Sequence, residues 1–194
     1  MSIEDAVERL GGKDEFNKWV GVYIGVLAVM LAIGNVGGAN AAKDATRANI
    51  EASNTWAFFQ AKNIRRTSYG LAADDMDLLL LTQPTLPPPA RKAVEDKAKF
   101  YRSEAKRMAD EEKEGTKALS AKARELEEER DVAMRRDPYF DWSQALLQIA
   151  IVLASVHLII GNVMLLGLSG GLAGLGVLLM INGFTLVFRL PILG

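Results

Sequence analysis

Few residues in this chain are equipped to do chemistry. One histidine, His157, and no cysteine occur among 194 residues, which excludes cysteine-ligated zinc, iron–sulfur clusters, a disulfide scaffold and a cysteine nucleophile. His157 stands beside Ser155 in a long uncharged stretch, where an ionisable group is a functional candidate by default. A metal site would need further ligands and a proton relay a second ionisable group, and that stretch holds no Asp, Glu, Lys or Arg. The competing reading of His157 is a hydrogen bond between helices or a place at a membrane interface. Gln144 and Gln148, four apart, share one helical face, and Asn35 and Asn182 stand in separate apolar stretches. Such amides bridge helix interfaces or, in an oligomer, line a polar pore. Asp74, Asp75 and Asp77 lack the closing glutamate of a calcium loop, and the acids at 127–131 read with them as charged, solvated helix faces. Gly167, Gly170, Gly171 and Gly174 form two interleaved small-xxx-small pairs, and Gly21 with Gly25 forms a third. That spacing lets membrane helices pack closely; without a Lys-Ser/Thr ending it is no phosphate loop. No spacing assembles a nucleophile, a base and an orienting group, so the expectation is a protein that is not an enzyme and uses no cofactor or metal.

The elements that hold these residues follow from where charge is missing. Lys plus Arg number 23 and Asp plus Glu 24, a net charge of −1, so no basic excess points to nucleic acid. The distribution is far from even: residues 19–42 and 142–188 carry no charged side chain. About 20 apolar residues cross a hydrocarbon core of roughly 30 Å. Residues 19–42 therefore make one span, and the longer stretch divides at Gly161 and Asn162 into spans at 142–160 and 163–188. Trp19, Tyr23, Tyr139, Trp142, Phe184 and Phe188 fall near the ends of these spans, where amphipathic rings favour the interface. Residues 1–18 are acidic where a cleavable signal is basic. Ile3, Val7 and Leu10 give that tail either an amphipathic helix on the membrane surface or a solvated segment.

Residues 43–141 hold 19 of the 23 basic residues and form the charged middle of the chain. Pro84, Pro87, Pro88 and Pro89 set a corner at 84–89 between arms at about 39–81 and 90–136. Ile50, Ala57, Ile64, Leu71 and Leu78 recur every seven residues in the first arm, and Val94, Ala98, Tyr101, Ala105, Met108, Leu119, Leu126 and Ala133 follow a 3-4 spacing in the second. Repeats of this length predict coiled-coil packing of the two arms. Glu112, Gly115, Lys122 and Glu129 interrupt the second seam, and a mid-helix glycine costs about 1 kcal/mol relative to alanine, so a weaker zone is expected around Gly115. A pair of helices reaching roughly 60 Å supplies no large core. Trp56, Phe58 and Phe59, with Ile64, Tyr101, Leu119 and Leu126, are the candidate contacts with other copies or a partner. Lys62, Arg65 and Arg66 offer cations to lipid headgroups or an acidic partner, or simply line a solvated helix. Only Gly37 and Gly38 could interrupt a helix running from the first span into the first arm, giving either a kink or a continuous rod.

The expected fold class is an all-α membrane protein: three transmembrane helices with a long antiparallel helical hairpin, a coiled-coil stalk, between the first and second. Gly37 to Arg66 (GGANAAKDATRANIEASNTWAFFQAKNIRR), Arg124 to Arg136 (RELEEERDVAMRR) and Ala145 to Val156 (ALLQIAIVLASV) resemble the bacterial family catalogued as domain of unknown function 4337. The resemblance implies fold and membrane context and brings no activity with it. Residue types and resemblance together lead to a non-enzymatic, homo-oligomeric inner-membrane scaffold in contact with membrane lipids, other copies or another membrane protein, and not with nucleic acid. An ion channel or pore lined by Asn35, Gln144, Gln148 and His157 is the alternative. Lys43, Arg47, Arg130, Arg135 and Arg136 flank the middle segment and tilt the expectation toward the cytoplasmic side for it.

Overall fold

A computed structural model describes residues 3–188, with side chains from residue 15 onward. The amphipathic face expected from Ile3, Val7 and Leu10 lies outside the described side chains. Among the described residues there are four helices and no strand: α1 (Ile3–Thr82), α2 (Pro88–Asp110), α3 (Thr116–Ile160) and α4 (Val163–Thr185). Their limits follow from local chemistry. Pro84 cannot continue α1, and Thr82 Oγ1 donates to Leu78 O at 2.8 Å in its last turn. Pro88 and Pro89 open α2, where a missing N–H is no loss because it would have no helical partner. Gly161 turns the chain between α3 and α4 at φ +74°, a left-handed conformation that glycine adopts without a Cβ clash. Asn162 then caps α4 by accepting from Met164 N at 3.0 Å, satisfying one of the free N–H groups of a first turn. α1 is unbroken at Gly37 and Gly38, and α3 runs on through Pro138.

The chain divides into two compact units: one holds α1 up to Ala45, α3 from Asp131, and α4, and the other holds Thr46–Arg130. In the first, Leu27, Leu147, Ala150 and Ala173 form a core flanked by Tyr23, Met30, Leu31, Ile151, Leu172 and Val177. A second core gathers Ala41, Phe140 and Met180. Phe140 is 1% exposed because three glycines make room for its ring: a Cβ on Gly37 would stand 2.5 Å from it, one on Gly183 3.0 Å, and one on Gly38 3.2 Å from Phe140 Cβ. The glycine pair in α1 thus serves close approach. The outer surface stays apolar, with Val22, Val29, Val36, Val152, Leu175 and Leu178 all exposed. Three helices are long and apolar enough to cross a membrane, and only 22%, 28% and 22% of their apolar windows are buried within the chain. Helices apolar on all sides suit a surrounding that is not water.

In the second unit, α1 meets α2 and α3 through contacts that run in reverse order along the chain. Asp77 pairs with Arg102, Tyr69 packs on Tyr101, Lys62 bonds Glu111, Trp56 bonds Glu127 and Arg47 pairs with Glu129. The buried line of α1 is Ala48, Ala52, Lys62 and Ala73, facing buried Ala98, Met108, Leu119, Ala123 and Leu126. The seven-residue repeat of the first arm does not make this contact: Ile50, Ile64, Leu71 and Leu78 are 54%, 66%, 61% and 58% exposed. Alanine at the seam lets backbones approach more closely than these branched side chains would. The second arm also differs from expectation. The weak zone at Gly115 is a complete break, with α2 ending at Asp110 and α3 starting at Thr116. Glu112, Lys122 and Glu129 consequently lie exposed, off the seam.

Candidate functional site

The polar groups of the first unit form a short chain through its interior. Ser169, fully buried, donates its hydroxyl to Ala150 O at 2.7 Å. With its proton so used, Ser169 Oγ accepts from Tyr23 Oη at 3.0 Å, and α1, α3 and α4 are tied together. Gln144 Nε2 reaches Gly34 O at 3.4 Å. Asn182 holds the end of α4: its Nδ2 donates to Phe188 O at 2.8 Å, its Oδ1 accepts from Phe188 N at 2.9 Å, and Leu186 follows in the left-handed conformation. Tyr139 Oη also donates to Phe188 O, at 3.0 Å.

His157 is 3% exposed. Its Nδ1 lies 2.8 Å from Asn162 O, and because a carbonyl only accepts, Nδ1 carries the proton. The ring meets Phe16 edge-on at 5.9 Å. Its observed contacts are those of a clamp on the α3–α4 turn. Asn35 and Gln148 stand exposed on apolar helices, while Gln144 is half-buried.

The glycines divide into two kinds. Beside Gly21, Gly25, Gly167, Gly170, Gly171 and Gly174 a Cβ would meet nothing within 4 Å, so their space is open within the protomer. Gly37, Gly38, Gly176 and Gly183 take the close contacts instead: a Cβ on Gly176 would stand 3.1 Å from Leu147 Cγ and 3.2 Å from Ser143 O. Gly176 and Gly183 were missed by spacing alone, because neither is three or four residues from a second glycine that packs.

In the second unit, Trp56 Nε1 donates to Glu127 Oε1 at 2.9 Å and its ring meets Phe59 edge-on at 5.4 Å. Phe58 remains 44% exposed, with Lys62 Nζ 5.7 Å from its centroid. Tyr101, Leu119 and Leu126 lie within the unit's own packing, and Ile64 faces outward. Lys62 is the residue that sequence reasoning undervalued. It is buried, donates to Glu111 at 2.6 Å and has Glu114 at 3.8 Å. It thereby fastens the turn between α2 and α3, which Lys117 also bridges to Asp110 at 2.6 Å. The hydrogen bond and charge of Lys62 hold the Glu111 carboxyl below its ordinary range, and Lys117 does the same to Asp110. Two further polar bonds, Arg107 to Glu104 and Arg91 to Glu95, are exposed pairs within α2.

Among the described residues, no three His, Asp or Glu side chains stand together as a metal site. Several of the polar groups join helices: Tyr23 with Ser169 and Ala150, Trp56 with Glu127, and Lys62 with Glu111. The profile of a family described as domain of unknown function (DUF4337) matches residues 16–186. No curated protein and no solved structure matches the chain.

Proposed function

We propose a non-enzymatic assembly role for this chain, which belongs to the DUF4337 family: three spans anchor it in a bacterial inner membrane, and an antiparallel helical hairpin serves as a stalk for self-association or partner docking. The observation that carries this reading is the line Ile50, Ile64, Leu71 and Leu78. These four side chains repeat at multiples of seven residues on α1, each more than half exposed, while the seam of the second unit is made by other residues. An apolar line at heptad spacing fits a second helix of the same kind. The reverse order of contacts from Asp77–Arg102 to Arg47–Glu129 supports the hairpin. The exposed glycines of α1 and α4 provide room for helices of neighbouring subunits in the bilayer.

The test replaces Ile64 and Leu71 together with lysine in the full chain. Native mass spectrometry then reads subunit number, and circular dichroism reads helix content. Loss of the oligomer with helix content retained is the expected result; an unchanged oligomeric mass refutes the role of this face. A second reading, an oligomeric pore, is favoured by the exposed amides Asn35 and Gln148 on apolar helices, since an amide facing hydrocarbon is costly. Ion flux into liposomes that falls on Gln148→Leu would support it, and absence of flux across ions and voltages would remove it.

A further inference from the structure

Three buried side-chain atoms lack a hydrogen-bond partner among the described residues: Ser143 Oγ and the Nε atoms of both Arg135 and Arg136. The arginines are the informative pair. They lie on α3 just before the uncharged stretch that begins at Trp142, where a spanning helix would leave the headgroup layer. Both side chains are half-exposed, and it is their Nε–H groups that are withdrawn from water without an acceptor, which is unfavourable. Neither Nε bonds the neighbouring Asp137, whose carboxyl is pushed above the ordinary range by burial and by Asp141.

One turn beyond Arg135, Tyr139 donates to Phe188 O at 3.0 Å. Phe188, with Leu178, Ile181, Thr185 and Val187, lines an open apolar groove of about 340 Å³ along the end of α4. Phe140 packs on Phe184 at 4.8 Å, which fixes this end of α4 beside the start of the apolar part of α3. Two cations and an apolar groove therefore lie within a turn or two of each other. We propose that Arg135 and Arg136 bind the phosphate of a membrane phospholipid whose acyl chain occupies the α4 groove. The arginine fork matches a phosphate in two parallel hydrogen bonds. Inorganic phosphate shares the head chemistry, and the groove is what selects a lipid over it. The inference rests on the reading that α3 and α4 cross a membrane.

The test uses the full chain, purified from membranes in mild detergent with phosphatidylethanolamine and phosphatidylglycerol added. Native mass spectrometry counts retained phospholipid. The variant R135Q/R136Q should retain lipid about tenfold less strongly, equivalent to roughly 1.4 kcal/mol. R135K/R136K, which keeps charge but loses the fork, should fall between, and K92Q/K99Q on α2 should match the wild type. If the glutamine variant loses helix content, the lysine variant decides. Ile181→Trp, which fills the groove, should lower lipid retention without touching the arginines. Retention unchanged in R135Q/R136Q overturns the proposal. So does inorganic phosphate stabilising the lipid-free protein through the arginines while Ile181→Trp leaves lipid retention intact, since the ligand is then free phosphate. A carbonate wash separates the two levels of failure: a chain released into the soluble fraction defeats the membrane reading as well, and an embedded chain with unchanged retention defeats the lipid site alone.

Discussion

Gly115→Ala sets helix propensity against packing, and the structure decides the sign. In a continuous helix this change would be stabilising by about 1 kcal/mol. At the α2–α3 break, the added Cβ would stand 2.5 Å from Glu111 O, 2.6 Å from Ala109 O and 2.8 Å from Glu111 N. All three are backbone atoms, so no side-chain rotation relieves the clash and the turn itself must open. That turn carries Gly115 N to Glu111 O at 2.8 Å and Leu119 N to Gly115 O at 2.9 Å, and it presents Glu111 to Lys62. Forcing an extra carbon into a filled site costs roughly 1–3 kcal/mol, which exceeds the propensity gain over most of that range. Hydrogen exchange on the full chain is the assay, because it resolves local opening. Amides at the start of α3, from Leu119 to Leu126, should exchange faster, by up to about 30-fold for a net cost of up to roughly 2 kcal/mol, while those of α4 stay as in the wild type. Slower exchange, or none of this difference, would refute the packing argument and return Gly115 to the status of an ordinary helix glycine.

The interior of the first unit gives a second prediction. Tyr23→Phe removes the bond to Ser169 and should lower resistance to unfolding in mixed micelles by about 0.6 kcal/mol, up to roughly 1.7. Ser169→Ala should cost more, because it also frees Ala150 O. Acid provides a third. Asp110 and Glu111 both have depressed values in the folded chain. Their contribution is therefore present above the unfolded carboxylate range and lost as pH falls through the lower folded values. Protection of the amides at residues 111–119, relative to their intrinsic exchange at each pH, should fall over that acid window, and high salt should weaken the exposed Asp110–Lys117 pair. Lys62→Met should flatten the Glu111 part of the profile; an identical acid profile in that variant would count against the assignment.

Much of the element plan was legible from local chemistry. A run of 47 residues without charge makes helices long and apolar enough to cross a membrane, and Pro84 ends α1 while Pro88 and Pro89 start α2. Gly161 and Asn162 mark a turn through their own conformational preferences. Each of these follows from one segment considered alone. Which face of a helix turns inward does not. The apolar heptads of α1 were as good a seam on paper as the alanines, yet Ala48, Ala52 and Ala73 took the contact, because fit depends on the surface of the opposing helix. The same holds for glycine: Gly37 and Gly183 acquire their purpose from the Phe140 ring, more than a hundred residues from the first of them, while the better-spaced Gly167 to Gly174 face open space. Lys62 and Glu111, forty-nine residues apart, and the unpartnered Nε atoms of Arg135 and Arg136 are likewise facts of tertiary placement. The sequence by itself determined the helices and their apolar stretches, since composition and backbone preference act within a few residues. The tertiary structure alone decided which faces meet and which polar atoms are buried, since steric fit and burial are properties of pairs of surfaces.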